Sequence, residues 1–361
     1  MRRIAFFISP HGFGHASRAA AIMEAIHEID PLIRFEIFTK VPSWFFRDSI
    51  SGAFDYHSLL TDIGLVQKTS LHEDIGMTAR TLDDFLPFNE SLIAEIAGLI
   101  NRSKCNLVIC DIAPMGIAAA REAGIPSMLV ENFTWDWIYE GYAGHDQINK
   151  HVSYLRDLFA KADFRIQTEP VCCYQKADLI TSPVIRKIRT PREQVRKKLG
   201  ITDNKKTVMV TMGGTKNSQP LSEVTDRKLR HEQDVCFVVP GAADSVEIYD
   251  NIVCLPHKSD FFHPDLVNAC DAVIGKVGYS TLAEVYQAGV PFGYISRPTF
   301  PESDMLVRFI EKNMPGIHIE EAEYQDGSWI DHLEELLSLR HVQRSGINGA
   351  GQAAQFIYKC A

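Results

Sequence analysis

Residues 3–23, "RIAFFISPHGFGHASRAAAIM", run from an apolar stretch through a loop with two glycines and two histidines straight into an alanine-rich helical pattern. Residues 206–224, "KTVMVTMGGTKNSQPLSEV", repeat the order: strand, glycine pair, helix. Between and beyond them, short β-branched or aromatic runs alternate with helical stretches: "RFEIFT", "NLVICD", "PSMLVE", "DVCFVV", "NIVCL", "AVIGK" and "FGYIS". Strand-then-helix alternation implies parallel sheets with helices on both faces. The repeat predicts two such α/β halves. At 361 residues the chain exceeds the usual span of one hydrophobic core. The expected division is 1–182, 183–344 and a terminal helical segment 345–361 that could pack back on the first half.

Composition narrows the partners. A formal charge of -9 argues against nucleic acid, which needs a net basic face. One stretch departs from this: "RKIRTPREQVRKKLGITDNKK" at 186–206 carries nine Lys or Arg. A solvated linker helix is the favoured reading, with contact to an anionic membrane or acceptor the alternative. The eight cysteines show no C-x-x-C pair or metal-ligand spacing, which points to reduced thiols and a cytoplasmic location. The basic start "MRRIAFFISPHGFG" has too short an apolar run for a secretory leader, and no segment reaches membrane-span length. Peripheral contact with the inner face of a membrane stays open.

In open parallel sheets, ligands bind beyond the carboxyl ends of strands at a topological switch point. The polar residues at those ends are therefore the site candidates. Gly12 and Gly14 leave room for a ligand beside a helix start. Gly12-x-Gly14-x-x-Ser17 lacks the third glycine of the dinucleotide fingerprint, and the next strand ends in Thr39 and Lys40 without an acid. A nicotinamide or flavin reading thus loses its ribose anchor, and no cofactor is expected. His11 and His15 remain, and a histidine here can take a proton from an attacking hydroxyl or simply fill the turn. Asp111, closing "NLVICD", can fix the tautomer of His15 or cap the following helix.

In the second half, Gly213, Gly214 and Thr215 follow a strand in a loop suited to a diphosphate, although a plain turn fits equally and the P-loop spacing is absent. Within "AVIGKVGYSTLAEVYQAGVPFGYISRP" at 272–298, Gly278 opens a loop and Ser280 and Thr281 reach a helix start. There they suit phosphate, while Glu284 one turn on suits two ribose hydroxyls. Thr281 and Glu284 also spell a capping box that needs no ligand. In "RPTFPESD", Glu302 and Asp304 could hold sugar hydroxyls. Trp135 and Trp137 in "NFTWDWIY" could stack an acceptor or fill the core, with "VPSWFF" at 41–46 a rival surface. No D-x-D pair or ligand cluster suggests a metal.

"HGFGH", "TMGGT" and "GYSTLAEVYQAGVP" resemble motifs of the GT-B glycosyltransferase superfamily. More narrowly, "HGFGHASR", "ENFTWDWIY" and "GKVGYSTLAEV" resemble the glycosyltransferase-like domain of plant arabinokinases and free-standing microbial proteins of that type. The resemblance implies two Rossmann-like domains facing each other across a cleft, with His15 the catalytic histidine and Asp111 its acidic partner. Gly213, Gly214, Thr215, Ser280 and Thr281 would then bind donor phosphates and Glu284 the ribose. Glu302 stands where many members carry an Asp or Gln that reads the donor sugar. The implied reaction is transfer from a nucleotide-diphosphate sugar to an acceptor hydroxyl, inverting and without a metal; the acceptor could be a sugar, a lipid-linked or a small molecule. A nucleotide-sugar hydrolase or 2-epimerase, and a non-catalytic nucleotide-sugar sensor, remain alternatives.

Overall fold

In the computed structural model the first sheet is built on a strand whose five apolar residues, Ile4 to Ile8, are all fully buried. Such runs, apolar at consecutive positions, are what a parallel strand covered on both faces requires. The structure describes residues 2–142, 144–202, 204–214, 222–344, 346 and 348–361.

The first sheet contains β1 (Arg3–Ile8), β2 (Arg34–Thr39), β3 (Phe54–Ser58), β4 (Leu107–Asp111), β5 (Ser127–Glu131), β6 (Phe164–Thr168) and β7 (Leu179–Thr181). Its order is β3-β2-β1-β4-β5-β6-β7, with every pairing parallel. The second contains β8 (Lys206–Thr211), β9 (Val235–Pro240), β10 (Glu247–Tyr249), β11 (Ile252–Leu255), β12 (Ala272–Lys276), β13 (Phe292–Ile295) and β14 (Gly316–His318). Its order is β10-β11-β9-β8-β12-β13-β14, parallel except for the edge pair β10 and β11. Each sheet is covered by an apolar cluster on either face. The chain is thus α/β, with two doubly wound lobes.

Strand order reverses between β1 and β4 in one sheet and between β8 and β12 in the other. The loops leaving those strands face each other, and between them lies a cleft of about 1050 Å³. Side chains from both lobes line it, including His15, Lys276, Ser280 and Glu302.

The basic stretch at 186–206 does not form a free solvated face. Arg186 and Arg196 are buried. Arg186 bonds Ser49 and Glu284, Arg189 the carbonyls of Asp48 and Ser49, Arg192 Asp271, and Arg196 Thr207 and Asp271. A linker between two lobes must anchor on both, and guanidinium forks do this with several bonds each. The helix Gly349–Cys360 lies against the helix Gly14–Ile29 of the first lobe. Among the described residues all eight cysteines are free thiols, and no helix is long and apolar enough to cross a membrane.

Candidate active site

Helix Gly14–Ile29 begins directly after the glycine loop, with Phe13 at its N-cap and no side chain capping it. His15 therefore does not serve as a cap. Its Nδ1 lies 3.0 Å from Oδ1 of Asp111 at the carboxyl end of β4. Asp111 does not cap the next helix either, whose N-cap is Ala113. The carboxylate instead receives Nε of Arg18 at 2.9 Å on Oδ2 and Nη2 at 2.6 Å on Oδ1, one helical turn beyond His15. Arg18 Nη1 also donates to Asn132 at 2.7 Å and Thr168 at 3.2 Å. His15 is 8 % exposed, Arg18 and Asp111 1 % each. Burial alone would raise the Asp111 carboxyl, but the Arg18 guanidinium and the bonds from Arg18 and His15 hold it below the usual carboxylate range. Nδ1 lies nearer to the Asp111 carboxylate than to Arg18 Nη2, which stands 3.3 Å away, and the carboxylate favours Nδ1 as the donor, which leaves Nε2 as the proton acceptor.

Burial pushes a second carboxyl, Asp62, up to about 7; it accepts from Ser9 Oγ at 2.9 Å and from the Trp135 indole at 3.3 Å. It lines the cleft near His11, which burial and the charge of Arg297 keep well below the usual histidine range.

On the opposite wall, the loop after β8 brings Gly213 and Gly214 to the cleft. Thr215 lies outside the described residues. Gly213 has φ +84°, a conformation that favours glycine. A Cβ on Gly214 would stand 2.0 Å from the Phe13 ring of the first lobe, so this close approach also needs glycine. The Gly12–Gly14 loop thus abuts the second lobe directly: a Cβ on Gly14 would be 3.6 Å from Ser280 Oγ.

The helix Tyr279–Ala288 has Gly278 at its N-cap and no side-chain cap bond. The capping box does not form. Among the described residues, the hydroxyls of Ser280 and Thr281 make no hydrogen bond and both line the cleft. Glu284 is engaged elsewhere: Oε1 accepts from Arg186 at 3.1 Å and Oε2 lies 2.5 Å from His263 Nδ1. Burial would raise its carboxyl, yet His263 and Arg186 hold it below the usual range. Glu302, raised by burial, accepts from Asn132 at 2.8 Å across the cleft. Asp304 is exposed and does not line the cleft.

Trp135 and Trp137 do not form an acceptor platform. Trp135 is 1 % exposed, packed edge-on to His11 and stacked on Tyr139; Trp137 packs half-buried against the first-lobe core. The loop after β5 folds under the cleft, so its indole rings support the loop instead of facing a ligand. The aromatic wall comes from Trp44 and Phe45 of the rival segment, with Phe13 stacked on Phe45 at 5.1 Å.

Arg18, Asp62, Lys276 and Arg297 were missed as site residues. Arg18 had a signal: a lone arginine three residues after His15 in an otherwise small, apolar helix face has to find a buried acid.

No protein-family model matches the chain. It is 30% identical over 366 residues to an L-arabinokinase of Arabidopsis thaliana, covering 99% of this chain and 34% of that protein. It therefore spans about a third of that relative's length. A UDP-N-acetylglucosamine–N-acetylmuramyl-(pentapeptide) pyrophosphoryl-undecaprenol N-acetylglucosamine transferase of Bacillus subtilis is 23% identical over 237 residues, 61% of each chain. The solved glycosyltransferase VinC in complex with dTDP superposes over 99% of this chain and 94% of that one, with a TM-score of 0.57 at 12% identity. The chain has the fold of the GT-B glycosyltransferases. The cleft between its lobes is accordingly the GT-B cleft, with the His15 network on one wall and the glycine loop on the other.

Proposed function

We propose that the protein transfers a sugar from a nucleotide-diphosphate sugar to an acceptor hydroxyl, with inversion and without an obligatory metal. One observation carries this reading: the His15 ring, fixed through Nδ1 by the Asp111–Arg18 pair, faces a wall of glycine backbone, free hydroxyls and a helix N-terminus. Nε2 of His15 takes the proton of the acceptor hydroxyl as its oxygen attacks the anomeric carbon. Asp111 stabilises the imidazolium formed. The diphosphate departs from the opposite face, toward Gly213, Gly214, Ser280 and Thr281, where amides, hydroxyls and the helix dipole meet its charge. Thr215 belongs with this set by sequence. Glu284 takes the ribose, exchanging one of its two partners, Arg186 or His263, for hydroxyls, and Glu302 reads the donor sugar. Gly12, Gly14 and Gly278 admit the donor backbone. The acceptor enters along Trp44 and Phe45, in the 1–182 domain, while 183–344 holds the donor.

The Bacillus subtilis relative is named for a UDP-sugar donor and the VinC structure holds dTDP, which supports a nucleoside diphosphate leaving group. Peripheral attachment to a membrane loses its main support, since the arginines that suggested it are engaged within the protein.

The test is a panel of nucleotide sugars and acceptors in the presence of a chelator, followed by chromatography and by NMR of the anomeric configuration. We expect a glycoside of inverted configuration. His15→Ala should lower turnover about 10³-fold, as loss of a general base does, with donor Kd within about twofold. Turnover unchanged in that variant removes His15 from the mechanism; donor breakdown independent of any acceptor favours the hydrolase or epimerase reading instead.

A further inference from the structure

Lys276 is the last residue of β12, at the strand-order reversal of the second sheet. Its side chain lies over Gly213: a Cβ there would be 3.6 Å from both Cε and Nζ. Among the described residues no hydrogen bond or ion pair occupies its ammonium. The buried arginines differ. Arg18 has Asp111, Arg186 has Glu284, Arg196 has Asp271 and Arg297 has Glu73.

Four charged or titratable groups surround Lys276: Arg297 and Glu302 from the segment after β13, Glu73 from the first lobe, and His11 from the loop after β1. Both carboxylates are already claimed. Glu73 accepts from Arg297 and from Thr299 at 2.8 Å, and Glu302 from Asn132. His11 sits too low to supply charge. Burial, then the neighbouring Arg297, push the Lys276 ammonium down to about 7. A cation enclosed without its own anion is costly, and an incoming anion removes the cost. The adjoining surfaces suit one: the positive-φ Gly213 loop on one side and, on the other, the start of a ten-residue helix with two unbonded hydroxyls.

We propose that Lys276 is the counter-cation of the donor's diphosphate, and that nucleotide binding is coupled to uptake of one proton from solvent onto Nζ. This rests on the nucleotide-sugar reading above. The sign follows from linkage. A bound diphosphate raises the affinity of Nζ for its proton, so nucleotide binding is strongest below pH 7 and weakens as pH rises above 7. The slope approaches tenfold per pH unit until the ammonium of the complex itself titrates.

The experiment is isothermal titration calorimetry of the full chain with UDP, with dTDP, and with uridine as a phosphate-free control. It is run at pH 6.5 and 8.5, and at pH 8 in two buffers of different ionisation enthalpy. Lys276→Met should weaken UDP and dTDP binding about tenfold or more at pH 6.5, the scale of a lost charge-assisted bond, and leave uridine binding unchanged. Lys276→Arg should bind UDP with little change between the two pH values, whereas wild-type affinity falls. Proton uptake at pH 8 should appear in the wild type and vanish in both variants. If wild type binds UDP or dTDP and Lys276→Met binds them equally well, or if proton uptake persists in both variants, the inference is overturned and the nucleotide reading stands. If wild type binds neither nucleotide, both fall. Should Lys276→Met lose uridine binding as well, Lys276→Arg decides: a pH response like that of the wild type overturns the inference and a flat one supports it.

Discussion

The two walls of the cleft solve opposite problems. On the first-lobe wall His15 Nδ1 and the side chains of Asp111 and Arg18 bond within the protein, and Asn132 and Thr168 complete the network, which leaves Nε2 of His15 for the substrate. On the second-lobe wall Ser280, Thr281 and Lys276 carry polar groups that bond to nothing among the described residues. A base has to be aimed before its substrate arrives, so its supporting bonds must be internal. A wall that receives an anion has to keep donors uncommitted. Rigidity belongs to one lobe and readiness to the other.

The sharpest way to break this contrast is Asp111→Ala. It strands the Arg18 guanidinium in a buried site, which costs about 3–5 kcal/mol of stability and, with the His15 ring no longer held, about 10²–10³ in turnover. Denaturant melts and initial rates measure the two losses. Ser280→Ala with Thr281→Ala should behave in the reverse manner: UDP affinity falls about tenfold while the melting temperature moves by no more than about 2 °C, because no internal bond is removed. If that pair destabilises the fold as much as Asp111→Ala does, the second wall is not open in the sense argued. The smallest effect concerns Asp62. Its carboxyl is raised in the folded state to about 7, so its contribution is present below the unfolded value near 4 and is lost as pH rises through 7. Asp62→Asn should accordingly stabilise the protein at pH 8 by roughly 1–3 kcal/mol, with the gain fading toward pH 4 in thermal melts.

The central strands were legible because both faces of a parallel sheet are covered, which leaves runs such as "IAFFI" with no polar interruption. The strands that sequence reading missed are short or partly wet. Edge strands β3 "FDYHS", β7 "LIT", β10 "EIY" and β14 "GIH" pair on one side alone, and β6 "FRIQT" carries Arg165 and Gln167. In the site, strand ends and glycine loops point to His15, Asp111 and Ser280 as individual residues. What no local pattern encodes is that Arg18 joins partners 93, 114 and 150 positions away. The same limit applies to Trp135, since aromatic density does not say which side of a loop is wet. It applies again to the basic stretch, where Arg186 and Arg196 turn inward while Lys197 and Lys198 stay out.

The polypeptide passes between the lobes twice, once after β7 and again before the helix Gly349–Cys360, and the two passages are stitched together. Asn348 bonds the amide and carbonyl of Ile185, Gln352 accepts from the Ser182 amide, and Gly349 N–H donates to Pro183. A single tether would let one lobe swivel freely. Two straps fastened side by side leave the lobes fewer relative rotations than a single one would, which narrows the stations the imidazole can take over its target.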